Sequence, residues 1–113
     1  MESQNLTLSH WEHSKELECP QCGDNNLHQG KCSVYWREKE DSTAGLQIQS
    51  NESREVSINL HVEGNPSDRR DGIRIEFWCE GCDVHPSLAI VQHKGKTFVY
   101  WEAWKGVKRF KNV

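Results

Sequence analysis

Residues Ile73 to Asp83 read Ile-Arg-Ile-Glu-Phe-Trp-Cys-Glu-Gly-Cys-Asp, an alternating run that ends in a pair of cysteines. Ile73, Ile75 and Phe77 fall on one side of an extended chain, and Arg74, Glu76 and Trp78 on the other. A period of two marks a strand with unlike faces. The strand leads into Cys79-Glu80-Gly81-Cys82, where one tight reversal can bring two thiols together. A second pair, Cys19-Pro20-Gln21-Cys22-Gly23, lies near the start of the chain. Pro20 stiffens that first turn, and Gly23 lets the chain leave it at positive φ. In the second turn, Gly81 takes the flexible position just before the last cysteine.

The same alternation recurs outward from this stretch. Val56, Ile58, Leu60 and Val62 alternate with Ser57, Asn59 and His61, the cleanest strand pattern in the chain. In residues 27–38, Cys32, Val34 and Trp36 share one face, and Ser33, Tyr35 and Arg37 the other. Leu46-Gln47-Ile48-Gln49-Ser50 starts a short strand. The segments 38–45 and 63–72 are dense in turn residues, and Pro66 stops any strand in the second. Ser87–His93 and Lys96–Glu102 flank Lys94-Gly95, a hairpin turn by composition. No capped, periodic helix precedes Trp101.

Four thiols in two Cys-x-x-Cys turns suit a metal that takes soft ligands at the corners of a tetrahedron. The turns resemble the two knuckles of zinc-ribbon proteins, over residues 19–23 and 79–83 and the strands around them. The chain as a whole resembles small uncharacterised bacterial or phage zinc-ribbon proteins, a likeness that implies no activity. The resemblance implies a mainly β fold: a small antiparallel sheet with an elaborated zinc ribbon, its two knuckles joined by one structural zinc ion on Cys19, Cys22, Cys79 and Cys82. The strand-rich insert between Cys22 and Cys79 departs from the compact ribbon and reads as a small sheet of its own. Expected boundaries are a loosely ordered extension over 1–16, one zinc-ribbon-like domain over 17–104 and a basic tail over 105–113.

Iron in a rubredoxin-like site would use the same four thiolates, but zinc is the expected ion. A thioredoxin-like centre would want one Cys-x-x-Cys beside a βαβ pattern, which is missing. Two disulfides suit an oxidising compartment, whereas Met1–His10 has neither the basic start nor the apolar run of a signal peptide. A cytoplasmic protein with reduced thiols is expected, and no apolar run is long enough to span a membrane. A catalytic zinc needs an open position, and four cysteines close the shell.

At 113 residues with 35% hydrophobic content the core is lean, so a metal cross-link adds much to stability. The formal charge is −3. Four thiolates on one divalent ion bring the metal-bound fold to about −5, which argues against a uniformly basic nucleic-acid binder.

The remaining candidates each carry a plainer alternative. Cys32, the odd thiol, reads as a small buried hydrophobe or, if exposed beside a cation, a reactive one. His10 and His13 could share a helical face but more simply are solvated; His85 could donate to a thiolate or sit in a loop. Arg69, Arg70 and Arg74 either pair with nearby carboxylates or grip a phosphate or carboxylate ligand. Lys105, Lys108 and Arg109 interleave with Trp104, Val107 and Phe110, as in a docked tail with snorkelling lysines or a surface for single-stranded nucleic acid. Glu38, Glu40 and Asp41 read as a solvated charge run. No nucleophile–base–acid set or phosphate loop stands out. The expectation is a non-enzymatic zinc-binding adaptor, contacting nucleic acid through the basic aromatic C-terminal region and the Arg69–Arg70 loop, or else a protein partner.

Overall fold

Strand β1 (Leu27–Arg37) is the longest element and lies near the middle of the sheet. It pairs antiparallel with β2 (Ala44–Ser50) on one side and with β4 (Gly72–Cys79) on the other. Strand β3 (Val56–His61) closes one edge against β2. The hairpin of β5 (Ser87–His93) and β6 (Lys96–Trp101) closes the other against β4. The order is β3-β2-β1-β4-β5-β6, a single antiparallel sheet. This computed structural model describes residues 16–51 and 53–102. The extension and tail expected over 1–16 and 105–113 lie outside the described residues, apart from Glu16. Among the described residues no helix is long and apolar enough to cross a membrane.

The insert between the cysteine pairs is not a separate sheet. It supplies β1 to β4, and β4 carries the β5–β6 hairpin, so every strand joins one hydrogen-bonded surface. Lys94 (φ 52) and Gly95 (φ 79) both take positive φ, as a two-residue type I′ hairpin requires.

Registers align the side chains into rows. Ile58, Ile48, Val34, Ile73, Ile90 and Val99 stand opposite one another across all six strands on one face. The opposite face carries Tyr35 beside Gln47, and Ser33 beside Arg74. Alternation predicts that the apolar set is the buried one, and the structure reverses this over most of the sheet. Ser33, Tyr35 and Gln47 are buried, whereas Trp36, Ile58 and Leu60 are exposed.

The reason is the loop of residues 62–71, which folds over the polar face. Gln47 donates to the Glu63 carbonyl at 2.7 Å, and Ser67 Oγ donates to the Gln92 carbonyl at 3.0 Å. The Arg37 guanidinium holds the carbonyls of Ser42, Ser67 and Arg70 together. Gln47 and Ser67 are tolerated in the interior because each finds a partner. Under the loop, Ala89, Val91 and Tyr100 form one core cluster. A second, of Phe77, Leu88 and Trp101, packs on the other face at the cysteine end of the sheet, with the Phe77 and Trp101 rings edge to face at 5.8 Å.

Candidate metal centre

The two Cys-x-x-Cys turns fold alike. In the first, Cys19 N–H donates to the Asp24 carbonyl (2.8 Å) and Gly23 N–H to the Cys19 carbonyl (2.9 Å). In the second, Cys79 N–H donates to Val84 (2.9 Å) and Asp83 N–H to Cys79 (2.9 Å). Each turn leaves through a residue at positive φ: Gly23 at 83° and Asp83 at 63°. Positive φ in the second turn therefore falls on Asp83, and Gly81 has another task. A Cβ on Gly81 would lie 2.8 Å from the Cβ of Asp24 and still closer to its carboxylate, so Gly81 lets the turns come together.

The sheet sets their separation. Leu27, at the start of β1, stands opposite Cys79, at the end of β4. Glu80 N–H reaches across to the Asn26 carbonyl at 3.1 Å, and Asp24 Oδ1 accepts from both the backbone and the side chain of Asn26.

These constraints bring together the sulfurs of Cys19, Cys22, Cys79 and Cys82, all within 4.8 Å of one another. Cys19 and Cys82 sulfurs are 3.6 Å apart, as are those of Cys22 and Cys79. A tetrahedron with metal–sulfur bonds of about 2.3 Å has edges of about 3.8 Å. The donor set fits a four-coordinate thiolate metal.

Electrostatics set Cys19 apart from Cys82 before any metal binds. Burial pushes Cys19 up, but the backbone N–H groups of Cys22 and Gln21, with the Cys79 and Cys82 thiols, outweigh it and hold Cys19 down at about 7. The Gln21 amide stands 3.4 Å from its sulfur. Burial, together with the Cys22 and Cys19 sulfurs, pushes Cys82 up to about 12 against the Val84 amide. Cys19 is thus ready to ionise before Cys82, and each added negative charge opposes the next until a cation arrives. Cys19 and Cys79 are buried, Cys82 half-buried and Cys22 exposed, which puts the centre at the rim of the fold.

Other residues singled out by sequence fall elsewhere. Arg69 makes a two-pronged contact with Asp41 (2.9 and 3.1 Å) and reaches Glu40 at 2.7 Å; Arg70 reaches Glu40 at 3.2 Å. The run at Glu40 and Asp41 is paired rather than merely solvated. Hydrogen bonding from Arg69, with the nearby positive charge, holds the Asp41 carboxyl below its usual range. Arg74 is not part of that loop: its guanidinium grips Glu102 at 2.6 and 2.7 Å. Cys32 is half-buried, and burial pushes its thiol up. The amide acting on Cys82 is that of Val84, while the exposed His85 belongs to the loop. Lys105, Lys108, Arg109, His10 and His13 lie outside the described residues.

Two features had little sequence signal. Arg37 organises the covering loop, yet nothing in its strand sets it apart. Trp78 is braced by Asp83, which accepts from its Nε1 at 2.6 Å, and by His28, stacked at 5.1 Å and paired with Glu80. The Cys-Gly-Asp-Asn run from Cys22 to Asn25 did hint that Asp24 turns back on its own backbone. The chain matches no protein-family profile, no curated protein and no solved structure.

Proposed function

We propose that this chain is a non-enzymatic recognition module whose fold is clamped by one structural zinc ion and whose partner is a protein. The clustering of four cysteine sulfurs at tetrahedral spacing carries this reading. Four thiolates leave no position for water or substrate, so zinc acts on the fold and not on a reaction. It ties the start of β1 to the end of β4, two strands already paired at the centre of the sheet.

Two observations favour a protein over nucleic acid. Arg69 and Arg70 are occupied by Glu40 and Asp41, which takes away much of the loop's capacity for phosphate. Among the described residues, Trp36, Val56, Ile58, Leu60 and Val99 are exposed apolar side chains on one face of the sheet. The centre itself, at net −2, repels an anionic ligand. Nucleic-acid contact by Lys105, Lys108 and Arg109 is the competing reading, and it has a direct test. Native mass spectrometry of the purified protein should find one zinc per chain, and a strong chelator should unfold it. Oligonucleotides should show no mobility shift at low salt, where phosphate contacts are strongest. A salt-sensitive shift that is lost on reversing Lys108 and Arg109 would replace the protein partner with nucleic acid.

A further inference from the structure

Among the described residues, the sheet leaves one face largely uncovered. Its central row is Ile58, Ile48, Val34, Ile73, Ile90 and Val99. Neither flanking row within the strands carries a charge: one runs from Val56 through Cys32 to Trp101, the other holds Leu60, Leu46 and Trp36. Charge begins at the rim, with Glu38 beside Trp36 and Leu60, Asp71 beside Trp36 and Ile90, and Lys31 and Glu55 beside Val56. Exposure reaches 62% at Ile58, 79% at Leu60, 49% at Trp36 and 57% at Val99. The Phe77–Leu88–Trp101 cluster covers only the end nearest the metal centre.

We infer that a second copy of this chain covers that face, two sheets packing into a sandwich about a two-fold axis. Size is the first reason. Six strands at ~4.8 Å and five residues at ~3.4 Å span roughly 29 by 17 Å, about 500 Å² in projection. Corrugated by side chains, that approaches the ~800 Å² per partner of a standard stable interface, and it lies at the upper end of the ~300–600 Å² that the largest patch of a monomer reaches.

Self-complementarity is the second. The central row reads Ile-Ile-Val-Ile-Ile-Val from edge to edge. A two-fold along the strands, passing between β1 and β4, sets Ile58 against Val99 of the second copy, Ile48 against Ile90, and Val34 against Ile73. β-Branched side chains then meet β-branched side chains along the whole row, as an isologous interface requires. Aligned sheets pack about 10 Å apart through such faces. Trp36, half exposed beside this row, is the kind of aromatic that anchors an interface.

The third reason is chemical. Among the described residues, the three rows within the strands offer this face no cation for phosphate and no carboxylate for a basic partner, so its centre favours a surface as apolar as itself. This inference rests on the reading of the chain as a protein-binding module and names the partner.

Sedimentation equilibrium of the full-length, zinc-loaded chain at about 100 μM decides it, with zinc content measured on every sample. The expected species has twice the 13.1 kDa chain mass. Ile58→Asp and Val99→Asp, at opposite edges of the face, should each give a monomer that still holds one zinc. Ile58→Thr, which keeps β-branching, should weaken the dimer at least tenfold, and it decides the matter if either Asp variant loses zinc. A wild-type monomer, whatever covers the face instead, overturns the inference, and so does a dimer that all three substitutions leave unchanged. A monomer with its zinc intact leaves the zinc-clamped module standing, so the two readings fail separately.

Discussion

Asp83 occupies in the second knuckle the place that Gly23 occupies in the first. Both follow directly after the second cysteine of their pair, both donate a backbone N–H to the carbonyl of the first, and both take positive φ. The two turns are the same device built with different residues at the strained position. Glycine meets the strain by lacking a Cβ. Asp83 bears it, and its carboxylate accepts from Trp78 Nε1 at 2.6 Å.

Space is open around Gly23, with no atom within 4 Å of where a Cβ would lie, so Gly23→Ala tests the backbone alone. It should cost about 1–2 kcal/mol, the price of left-handed φ for a residue with a Cβ. Asp83→Gly removes that strain but loses the Trp78 hydrogen bond, worth about 1 kcal/mol, and should be nearly neutral. Gly81→Ala should be the most damaging of the three, because its Cβ meets Asp24. Thermal unfolding with zinc bound ranks them, and a Gly81→Ala milder than Gly23→Ala would mean that the knuckles are not so closely apposed.

Cys79 is fully buried and is shared between strand and metal site, whereas Cys32 lies on a neighbouring strand, outside the one cluster of metal-ligating side chains among the described residues. Cys79→Ser should therefore remove zinc and unfold the domain, since structural zinc supplies about 10 kcal/mol or more to small folds. Cys32→Ser should leave one zinc per chain and cost about 1 kcal/mol for placing a hydroxyl against Ile75. Metal analysis and circular dichroism of both variants check this. Retention of zinc by Cys79→Ser would break the assigned ligand set.

Acid should release the metal steeply. Bound thiolates are held ionised far below the ordinary thiol value, so their contribution is present above that value and falls as protons compete. Zinc removal unfolds the domain, so each released thiol returns to the ordinary value of about 8.5 and takes up a proton below pH 7.5. The logarithm of zinc affinity should then fall with a slope of nearly four, or at least a thousandfold between pH 7.5 and 6.5. Competition against a chromophoric chelator measures the slope. A slope near two would mean that only two thiolates hold the ion.

The strands and the ligand set were legible because each depends on local pattern. Alternation placed β3 and β4, and Lys94-Gly95 marked its hairpin. Which face is buried was not legible. Val34 and Tyr35 are adjacent and opposite in direction, and their hydropathy names Val34 for the interior. The structure buries Tyr35 because residues 62–71, remote in sequence from β1, return over its face and satisfy the polar groups there. No local rule contains that loop's path. The pairings of Arg69 with Asp41 and of Arg74 with Glu102 likewise join residues about thirty positions apart.

Arg74 and Glu102 make a two-pronged contact on the covered face, and it couples β4 to the end of β6. Arg74 Nε and Nη2 meet the two carboxylate oxygens of Glu102 at 2.6 and 2.7 Å, while Nη1 holds the Gly64 carbonyl of the covering loop at 2.7 Å. Ser87 Oγ donates to the same carboxylate at 2.8 Å. Side-chain exposure is only 23% and 16%, so removing one charge strands the other in a poorly solvated place. Glu102→Gln should cost about 2–3 kcal/mol and lower the unfolding midpoint by roughly 10 °C. Replacing both residues, Arg74→Met with Glu102→Met, leaves no orphaned charge and should cost less than the sum of the two single changes to Met. Zinc content should not move in any of these variants, because the pair and the metal tie different parts of the sheet. Strict additivity in the double variant would show that the contact contributes nothing beyond its separate parts.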